Sequence, residues 1–241
     1  MKIIDDLLST LNFDAPVRDI RQGPFQTAVL TRGCGLSSTQ YEQEHHGSRH
    51  PVADAGFLLE KTSYELAKLA NSLNVMEASI GMAAINSLLE IDENTCEELN
   101  ASDLLARHGE GKRVAIVGHF PFIPQLKKVT KELWVIERNP REGDLNEAEA
   151  ENLVPKADVV GITGTAITNH TIKYLLELCS PRSYVVILGG TAPLSPVLFD
   201  YGPDAICGTK VINPGLVLNM VSQGATFRQI KGIKLLTMMR K

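Results

Sequence analysis

The chain has 241 residues, of which 44% are hydrophobic and 22% charged, with a formal net charge of −4 at pH 7. Its length exceeds the roughly 100 to 150 residues of a typical domain, so two domains fit as well as one. The scattered lysines and arginines form no basic stripe and no apolar run reaches the roughly 20 residues of a membrane helix, which argues against nucleic-acid and membrane partners.

The first residues predict an amphipathic helix rather than a leader sequence. Apolar residues recur at helical spacing over residues 3–11, and Asp5 and Asp6 interrupt them. A signal peptide needs an uninterrupted apolar core, so we expect a cytoplasmic protein. The four cysteines form no C-x-x-C pair and are expected to be free thiols, with Cys179 and Cys207 buried as small apolar residues.

Two strand-like runs follow, over residues 17–21 and 25–31, on either side of Gln22-Gly23-Pro24. This pattern predicts an antiparallel hairpin. The next segment concentrates possible metal ligands, namely His45, His46 and His50, with Glu42 and Glu44 beside them. Imidazole and carboxylate groups suit zinc and similar ions. Adjacent histidines diverge on a regular backbone, however, so a metal site and a solvated loop are both open interpretations.

Helix signals are strong in the middle of the chain. Thr62, Asn74 and Thr95 each precede a glutamate by three residues, the spacing of a capping box. The helix that follows Asn74 is apolar on nearly every face and is predicted to be central and buried, with Asn86 as its polar exception. The glycines among charged residues near residue 110 predict a boundary between a first domain, residues 1–110, and a second, residues 111–241.

Short apolar runs alternate with helical segments in the second domain. We predict strands over residues 113–117, 133–136, 158–162, 184–188 and 205–207, an edge strand over 233–238, and helices over 125–131, 147–153, 169–178 and 214–222. This alternation is typical of a parallel sheet covered on both faces. The fold class is therefore α/β, with a Rossmann-like, mostly parallel, doubly wound sheet.

The loop after the first strand of this sheet lacks a dinucleotide fingerprint. Gly118 has no glycine partners at G-x-G-x-x-G spacing, and Pro121 and Pro124 remove two backbone donors. NAD and ATP are weak candidates as a result. Glu137 ends the second strand, where an acidic residue can accept hydrogen bonds from ribose hydroxyls, as S-adenosylmethionine would require. An ion pair of Glu137 with a neighbouring arginine is an equally open interpretation.

The loops after the third and fourth strands carry hydroxyl, amide and glycine groups. Thr163, Thr165 and Asn169 follow one strand, and Thr191 follows Gly189-Gly190 after the next. Because parallel strands end at the same edge, these groups predict a polar small-molecule site. Asn169 is also a normal helix N-cap. Lys210, after the fifth strand, would neutralise an acidic ligand or act as an acid or base, or it is simply solvated.

These residues resemble a known family, the heavy-metal-chelation proteins of bacteria and archaea that were formerly catalogued as domains of unknown function. The resemblance covers most of the chain from about residue 60. It rests on GMAAIN at 81–86, VGHFP at 117–121, VIERNP at 135–140, ADVV at 157–160, TGTAITN at 163–169, TAPLSP at 191–196 and GTKV at 208–211.

The resemblance implies an α+β first domain like that of enolases, a Rossmann-like second domain, and a site between them. It implies a role in metal handling, or in condensation or hydrolysis during synthesis of a chelating or pterin-like compound. A catalytic role is not carried over to His119, where an aromatic residue is often expected. The implied ligand-binding residues are Gly118, Glu137, Thr163, Thr165, Asn169, Thr191 and Lys210, with Asn169, Lys210 and Glu137 as catalytic candidates.

Three functional hypotheses follow. The first is an enzyme or binding protein that holds a polar small molecule, with a divalent or heavy metal as cofactor, in an interdomain cleft. The second is a methyltransferase-like enzyme that uses S-adenosylmethionine through Glu137. The third is a non-catalytic metal carrier that uses His45, His46 and His50. The partner in each is a small molecule or ion, and a homo-oligomer is left open.

Overall fold

Two β-sheets organise the chain, which a computed structural model describes over residues 2–41 and 52–241. The smaller sheet is antiparallel and consists of β1 (Asp19–Gln22), β2 (Gln26–Leu30) and β3 (Cys34–Ser38). The larger sheet has eight strands: β4 (Cys96–Glu97), β5 (Arg113–Val117), β6 (Glu132–Glu137), β7 (Leu145–Asn146), β8 (Val159–Thr163), β9 (Tyr184–Leu188), β10 (Ala205–Val211) and β11 (Ile233–Met239).

Helices cover both sheets. The α-helices are α1 (Lys2–Ser9), α2 (Ser63–Lys68), α3 (Val75–Leu88), α4 (Ala101–Gly109), α5 (Ile123–Leu126), α6 (Ala150–Leu153), α7 (Thr165–Thr168), α8 (Ile172–Leu178) and α9 (Pro214–Ser222). Single 3₁₀ turns occupy Leu58–Glu60, Leu69–Asn71, Glu93–Thr95, Glu147–Glu149 and Val154–Lys156, and a longer one Pro196–Tyr201.

The order of strands in the large sheet is β4-β11-β10-β9-β8-β5-β6-β7. The six strands from β10 to β7 are parallel, and their order along the chain is that of a Rossmann fold. The predicted α/β class with a mostly parallel sheet is confirmed. The order in which strands are added to the sheet reverses between β5 and β8, so the carboxyl ends of these two strands border the crevice in which such folds hold ligands.

The antiparallel hairpin predicted near the start is also confirmed. Asp19 pairs with Leu30 and Gln22 with Thr27, and Gly23 and Pro24 lie in the turn. The sheet packs directly on α3, because Gly35 leaves no side chain between them: a β-carbon there would lie 2.2 Å from the carbonyl oxygen of Ala83. Helix α3 is buried over most of its length, as predicted.

Two of the three predicted helix starts are present in the structure. Thr62 forms a reciprocal capping box with Glu65, and the Asn74 side chain accepts a hydrogen bond from Met76 N. The third prediction is wrong, because Cys96 lies in β4 and pairs with Met238 of β11. Consequently β4, and not the run at residues 233–238, forms that edge of the sheet.

The region before residue 110 contributes to the large sheet. Leu104 and Leu105 on α4 are buried in one cluster with Val114 and Ile116 of β5. The division into residues 1–110 and 111–241 stays a prediction. Among the residues described, no helix combines the length and the apolar character that a bilayer span requires. The four cysteines are free thiols, and burial raises the pKa of Cys34 and Cys179 to about 12 and that of Cys207 to about 11.

Candidate functional site

A cleft of 2290 Å³ lies between the carboxyl edge of the large sheet and the small sheet. It is larger than the roughly 300–1,000 Å³ of a pocket for one small ligand. The small sheet and the segment after it contribute Phe25, Gln26, Ser38, Thr39, Gln40 and Tyr41. The cleft also brings together six of the predicted ligand-binding residues: Gly118, Glu137, Thr163, Thr165, Asn169 and Thr191.

Gly118 and Thr163 meet at the reversal point between β5 and β8. Gly118 has φ of +110°, a conformation that glycine adopts without strain. A β-carbon on Gly118 would lie 3.0 Å from Cβ of Thr163. The absence of a side chain on Gly118 therefore lets the two loops approach each other. The next residue, His119, lines the cleft.

Thr163 and Thr165 form a hydroxyl pair. Their Oγ1 atoms lie 2.9 Å apart, and Thr165 N donates to Thr163 Oγ1 at 3.3 Å. Both side chains are partly buried and line the cleft. A hydroxyl group has one donor and two acceptor positions, so the pair retains capacity for a ligand after its own hydrogen bond is made.

Asn169 is not the N-cap of a helix. It follows α7, and the residue that precedes α8 is Thr171. Its Oδ1 accepts hydrogen bonds from Thr171 Oγ1 at 2.7 Å and from Thr171 N at 3.3 Å. Nδ2 of Asn169 makes no hydrogen bond to any residue in the described ranges, so this amide can donate to a ligand. The neighbouring His170 has φ of +64° and contacts Ala70 O through Nε2 at 2.9 Å.

Glu137 ends β6 at the cleft, and its Oε1 accepts from Arg138 N at 2.8 Å and Asn139 N at 3.4 Å. Within residues 2–41 and 52–241, it makes no ion pair with either neighbouring arginine. The carboxylate is thus held by backbone donors, and its second oxygen is available to other groups.

Thr191 connects the large sheet to the small sheet. Its Oγ1 accepts from Ser38 N at 2.9 Å, and its carbonyl oxygen accepts from Asn86 Nδ2 at 3.2 Å. The same Nδ2 donates to Leu36 O at 2.8 Å. Asn86, the polar exception on α3, therefore bridges β3 and the loop after β9. Thr191 is only 1% exposed and its Oγ1 serves this junction, so its role as a ligand contact stays a prediction.

Lys210 lies apart from the other predicted residues. Its Nζ pairs with Glu93 Oε1 at 2.6 Å, and Lys234 holds the second oxygen of that carboxylate at 3.1 Å. These two ammonium groups lower the pKa of Glu93. Lys210 borders a separate shallow hollow next to Arg32.

A paired histidine and aspartate that the sequence did not predict lies at the cleft. His119 Nδ1 lies 2.8 Å from Asp144 Oδ2, and the Asp144 side chain is only 4% exposed. His119 lines the cleft. The pair connects the loop after β5 with the loop after β6, and the two residues are 25 positions apart in the chain. The only local signal for Asp144 is the turn residue Gly143 before it, and that signal does not name a partner.

Gln26 supplies an unsatisfied acceptor. Its side chain is 4% exposed and lines the cleft, and Nε2 donates to Phe25 O at 2.6 Å. Oε1 has no hydrogen-bond partner among the described residues. Leaving a buried carbonyl group unpaired costs about 1–3 kcal/mol, so this oxygen is a candidate acceptor for a ligand donor.

The histidines considered as metal ligands, His45, His46 and His50, lie outside the described residues. Over residues 2–41 and 52–241, no three histidine, cysteine, aspartate or glutamate side chains come together as a candidate metal site. The metal prediction therefore stays untested by the geometry.

Comparison with known families adds a name to this arrangement. The sequence model of DUF364, whose description reads "Putative heavy-metal chelation", matches residues 100–240. The chain belongs to the DUF364 family. The model of DUF4213, which carries the same description, matches residues 4–89. The resemblance seen in the sequence motifs is confirmed by these two matches.

Relatives of this DUF364 chain share its fold. A crystal structure of a DUF364 protein of unknown function from Desulfitobacterium hafniense is 25% identical, with a TM-score of 0.83 over 99% of this chain and 98% of that one. A DUF364 protein from Pyrococcus horikoshii is 22% identical with the same TM-score and coverage. An uncharacterised protein of Methanocaldococcus jannaschii is 28% identical over 209 residues, 83% of this chain and 79% of the relative.

Proposed function

We propose that this DUF364 protein holds a small polar molecule in the cleft, as an enzyme or binding protein that acts on a metal-chelating compound or a precursor of one. The observation that carries the proposal is the meeting of polar groups from the carboxyl ends of two strands, β6 and β8, in one cleft: the hydroxyls of Thr163 and Thr165, the amide of Asn169 and the carboxylate of Glu137. The family description supplies the chelator.

Two groups support a bound molecule rather than an empty surface crevice. Gln26 Oε1 is buried without a hydrogen-bond donor among the described residues, and the partly buried Asn169 donates from Nδ2 to none of them. One offers an acceptor and the other a donor to the same cleft. The ligand that complements them carries both kinds of group, as amide-containing and hydroxyl-containing chelators do. The cleft volume also leaves room for a second reactant.

The test is native mass spectrometry of freshly purified protein, which would detect a retained molecule by its mass. We expect Asn169→Ala and Thr165→Val to reduce the retained fraction by tenfold or more while lowering the melting temperature little. Lys210→Met is the matched control, because Lys210 lies outside the cleft. The proposal fails if the two cleft variants keep the molecule, or if they lose stability in proportion to the molecule.

S-adenosylmethionine is a second candidate ligand, favoured by one observation. Glu137 stands at the carboxyl end of β6, next to the first strand of the parallel series, where an acidic residue can accept ribose hydroxyls. Calorimetric titration with S-adenosylmethionine tests this candidate. We expect S-adenosylmethionine to bind, and we expect the Glu137→Gln substitution to weaken that binding. If millimolar S-adenosylmethionine produced no heat of binding, the methyltransferase hypothesis would be eliminated.

A further inference from the structure

We propose that His119 is the proton-transfer group of the cleft and that Asp144 orients it. His119 acts as a general base on a ligand hydroxyl group or on a water bound beside the ligand. This inference rests on the proposed function, because it needs a molecule in the cleft. It also assigns a catalytic role to His119, which lies in the VGHFP motif but receives no role from the family description.

The hydrogen bonds fix the tautomer of the imidazole ring. His119 Nδ1 faces both oxygens of Asp144, at 2.8 and 3.1 Å, and Arg141 N donates to Asp144 Oδ2 at 3.0 Å. A carboxylate can only accept hydrogen bonds, so the neutral imidazole ring satisfies this contact only as a donor. Nδ1 must then carry the hydrogen, which leaves a lone pair on Nε2.

The lone pair on Nε2 is free to act in the cleft. His119 lines the cleft with its side chain 26% exposed, and no residue in the described ranges hydrogen-bonds to Nε2. Other histidine rings have structural partners. Nε2 of His170 contacts Ala70 O at 2.9 Å, and the His108 ring stacks on Tyr184 at 3.7 Å. His119 thus differs from both in presenting an unengaged nitrogen to a ligand site.

Two turns hold the pair in place. Gly118, with φ of +110°, sets the direction of the chain at His119, and its N–H donates to Ile136 O at 2.9 Å. The turn from Arg141 to Asp144 is closed by Asp144 N donating to Arg141 O at 2.9 Å, with Gly143 at φ of +88°. Both loops follow adjacent strands, β5 and β6, so the geometry is set before a ligand arrives.

The proposed step conserves atoms and charge. Nε2 accepts the proton of the hydroxyl group or water, and the oxygen keeps the electron pair and becomes the nucleophile. The imidazolium that forms is stabilised by the negative charge of Asp144, which keeps its hydrogen bond to Nδ1–H and is not itself protonated. A later return of the proton from Nε2 to a leaving group restores the neutral ring.

The first experiment uses p-nitrophenyl acetate as the probe, with the full chain. An unprotonated Nε2 attacks the acetyl carbon and p-nitrophenolate leaves with the electron pair. Water then hydrolyses the acetyl-imidazolium, which restores the neutral ring and releases acetate and two protons. We expect His119→Gln and His119→Phe each to lower the protein-dependent rate of p-nitrophenolate release at least fivefold. His108→Gln is the matched control and should leave the rate unchanged.

The second experiment reads the ring directly by NMR of the ¹⁵N-histidine-labelled protein. We expect His119 to carry its hydrogen on Nδ1 at neutral pH, Asp144→Asn to shift it towards Nε2, and Asp144→Glu to restore Nδ1 in part. A merely structural clamp between the loops would not couple the tautomer to the ester rate. A wild-type ring protonated on Nε2, or rates unaffected by folded His119 variants, would overturn the inference.

The outcomes separate this inference from the proposed function. If Asn169→Ala keeps the native molecule while His119 controls the ester rate, the proposed ligand site fails and the reactive histidine stands. If the cleft variants lose the molecule while both His119 variants keep the ester rate, the ligand site stands and the proton-transfer role fails. Circular dichroism establishes that each variant is folded before either conclusion is drawn.

Discussion

The two ends of the parallel strands in the large sheet differ in how their polar groups are used. At the amino ends, Asp158 accepts hydrogen bonds from Arg113 N, Nε and Nη2 at 3.0 to 3.2 Å, and Asp204 Oδ2 accepts from Val185 N at 2.7 Å. At the carboxyl ends, His119 and Asn169 each use one polar atom for structure and turn another to the cleft. Stability is built at one end and ligand capacity is kept at the other.

The largest predicted effect on stability is at a position where the carboxyl end of the sheet, unlike its ligand-facing residues, is tightly packed. Gly164 lies at the carboxyl end, yet a β-carbon there would lie 2.5 Å from Ala192 N and 2.8 Å from Ala192 Cα. Backbone must move to admit it, so Gly164→Ala should lower the free energy of unfolding by about 3 kcal/mol, measured by urea unfolding. Gly215→Ala, whose nearest neighbour is 4.0 Å away, is the control and should lose no stability. Equal stabilities would contradict the packing argument.

The second prediction concerns the amino end. Asp158→Asn removes the charge that pairs with Arg113 across β5 and β8. The pair is partly exposed, so we expect the free energy of unfolding to fall by only about 1 kcal/mol. Native mass spectrometry should show an unchanged ligand fraction, because the change lies at the opposite end of the sheet. A reduced ligand fraction would show that the two ends are not independent.

The third prediction follows from acid titration of the same pair. Arg113 lowers the pKa of Asp158 from 3.8 to about 2. A carboxyl group with a depressed pKa stabilises the folded state fully above its ordinary pKa, and this contribution is lost as the pH falls. The difference in melting temperature between wild type and Asp158→Asn should be constant from pH 7 to about 5 and should shrink towards pH 2. A difference independent of pH would exclude this ion pair as its source.

The smallest effect is expected at Lys210. Its ammonium group pairs with Glu93 near the surface, and Lys234 still holds that carboxylate when Lys210 is replaced. Lys210→Met should change the free energy of unfolding by less than about 0.5 kcal/mol. It should also leave the retained ligand unchanged, in contrast to Asn169→Ala. If the Lys210→Met variant lost the ligand, Lys210 would contribute to the ligand site, and the contrast with Asn169 would not hold.

Much of the fold could be predicted because it depends on local patterns. The apolar run at residues 113–117 coincides with β5, and Thr62 with Glu65 forms the capping box that its spacing predicts. The prediction failed at Thr95-Cys96-Glu97-Glu98, which has the same spacing. There Cys96 pairs with Met238 of β11, which lies 142 positions later in the chain. This strand pairing outweighs the helix-capping pattern of the local sequence.

The candidate site divides in the same way. The threonines and Asn169 could be predicted because they directly follow strands, and parallel strands end at one edge. The His119 and Asp144 pair could not be predicted, since it depends on which loops become neighbours and on the direction of a side chain. Lys210 is predicted to follow the fifth strand, but β10 continues to Val211, so Lys210 lies inside the strand and its ammonium group pairs with Glu93.

The shared hydrogen bonds of Asn86 have a consequence for how the molecule unfolds. One amide nitrogen ties Leu36 of the small sheet to Thr191 of the large one, and the loop that carries Thr191 forms part of the cleft wall. The cleft therefore exists only while both sheets are docked. A molecule that binds there stabilises the docked state by mass action, so the melting temperature should rise with the concentration of that molecule.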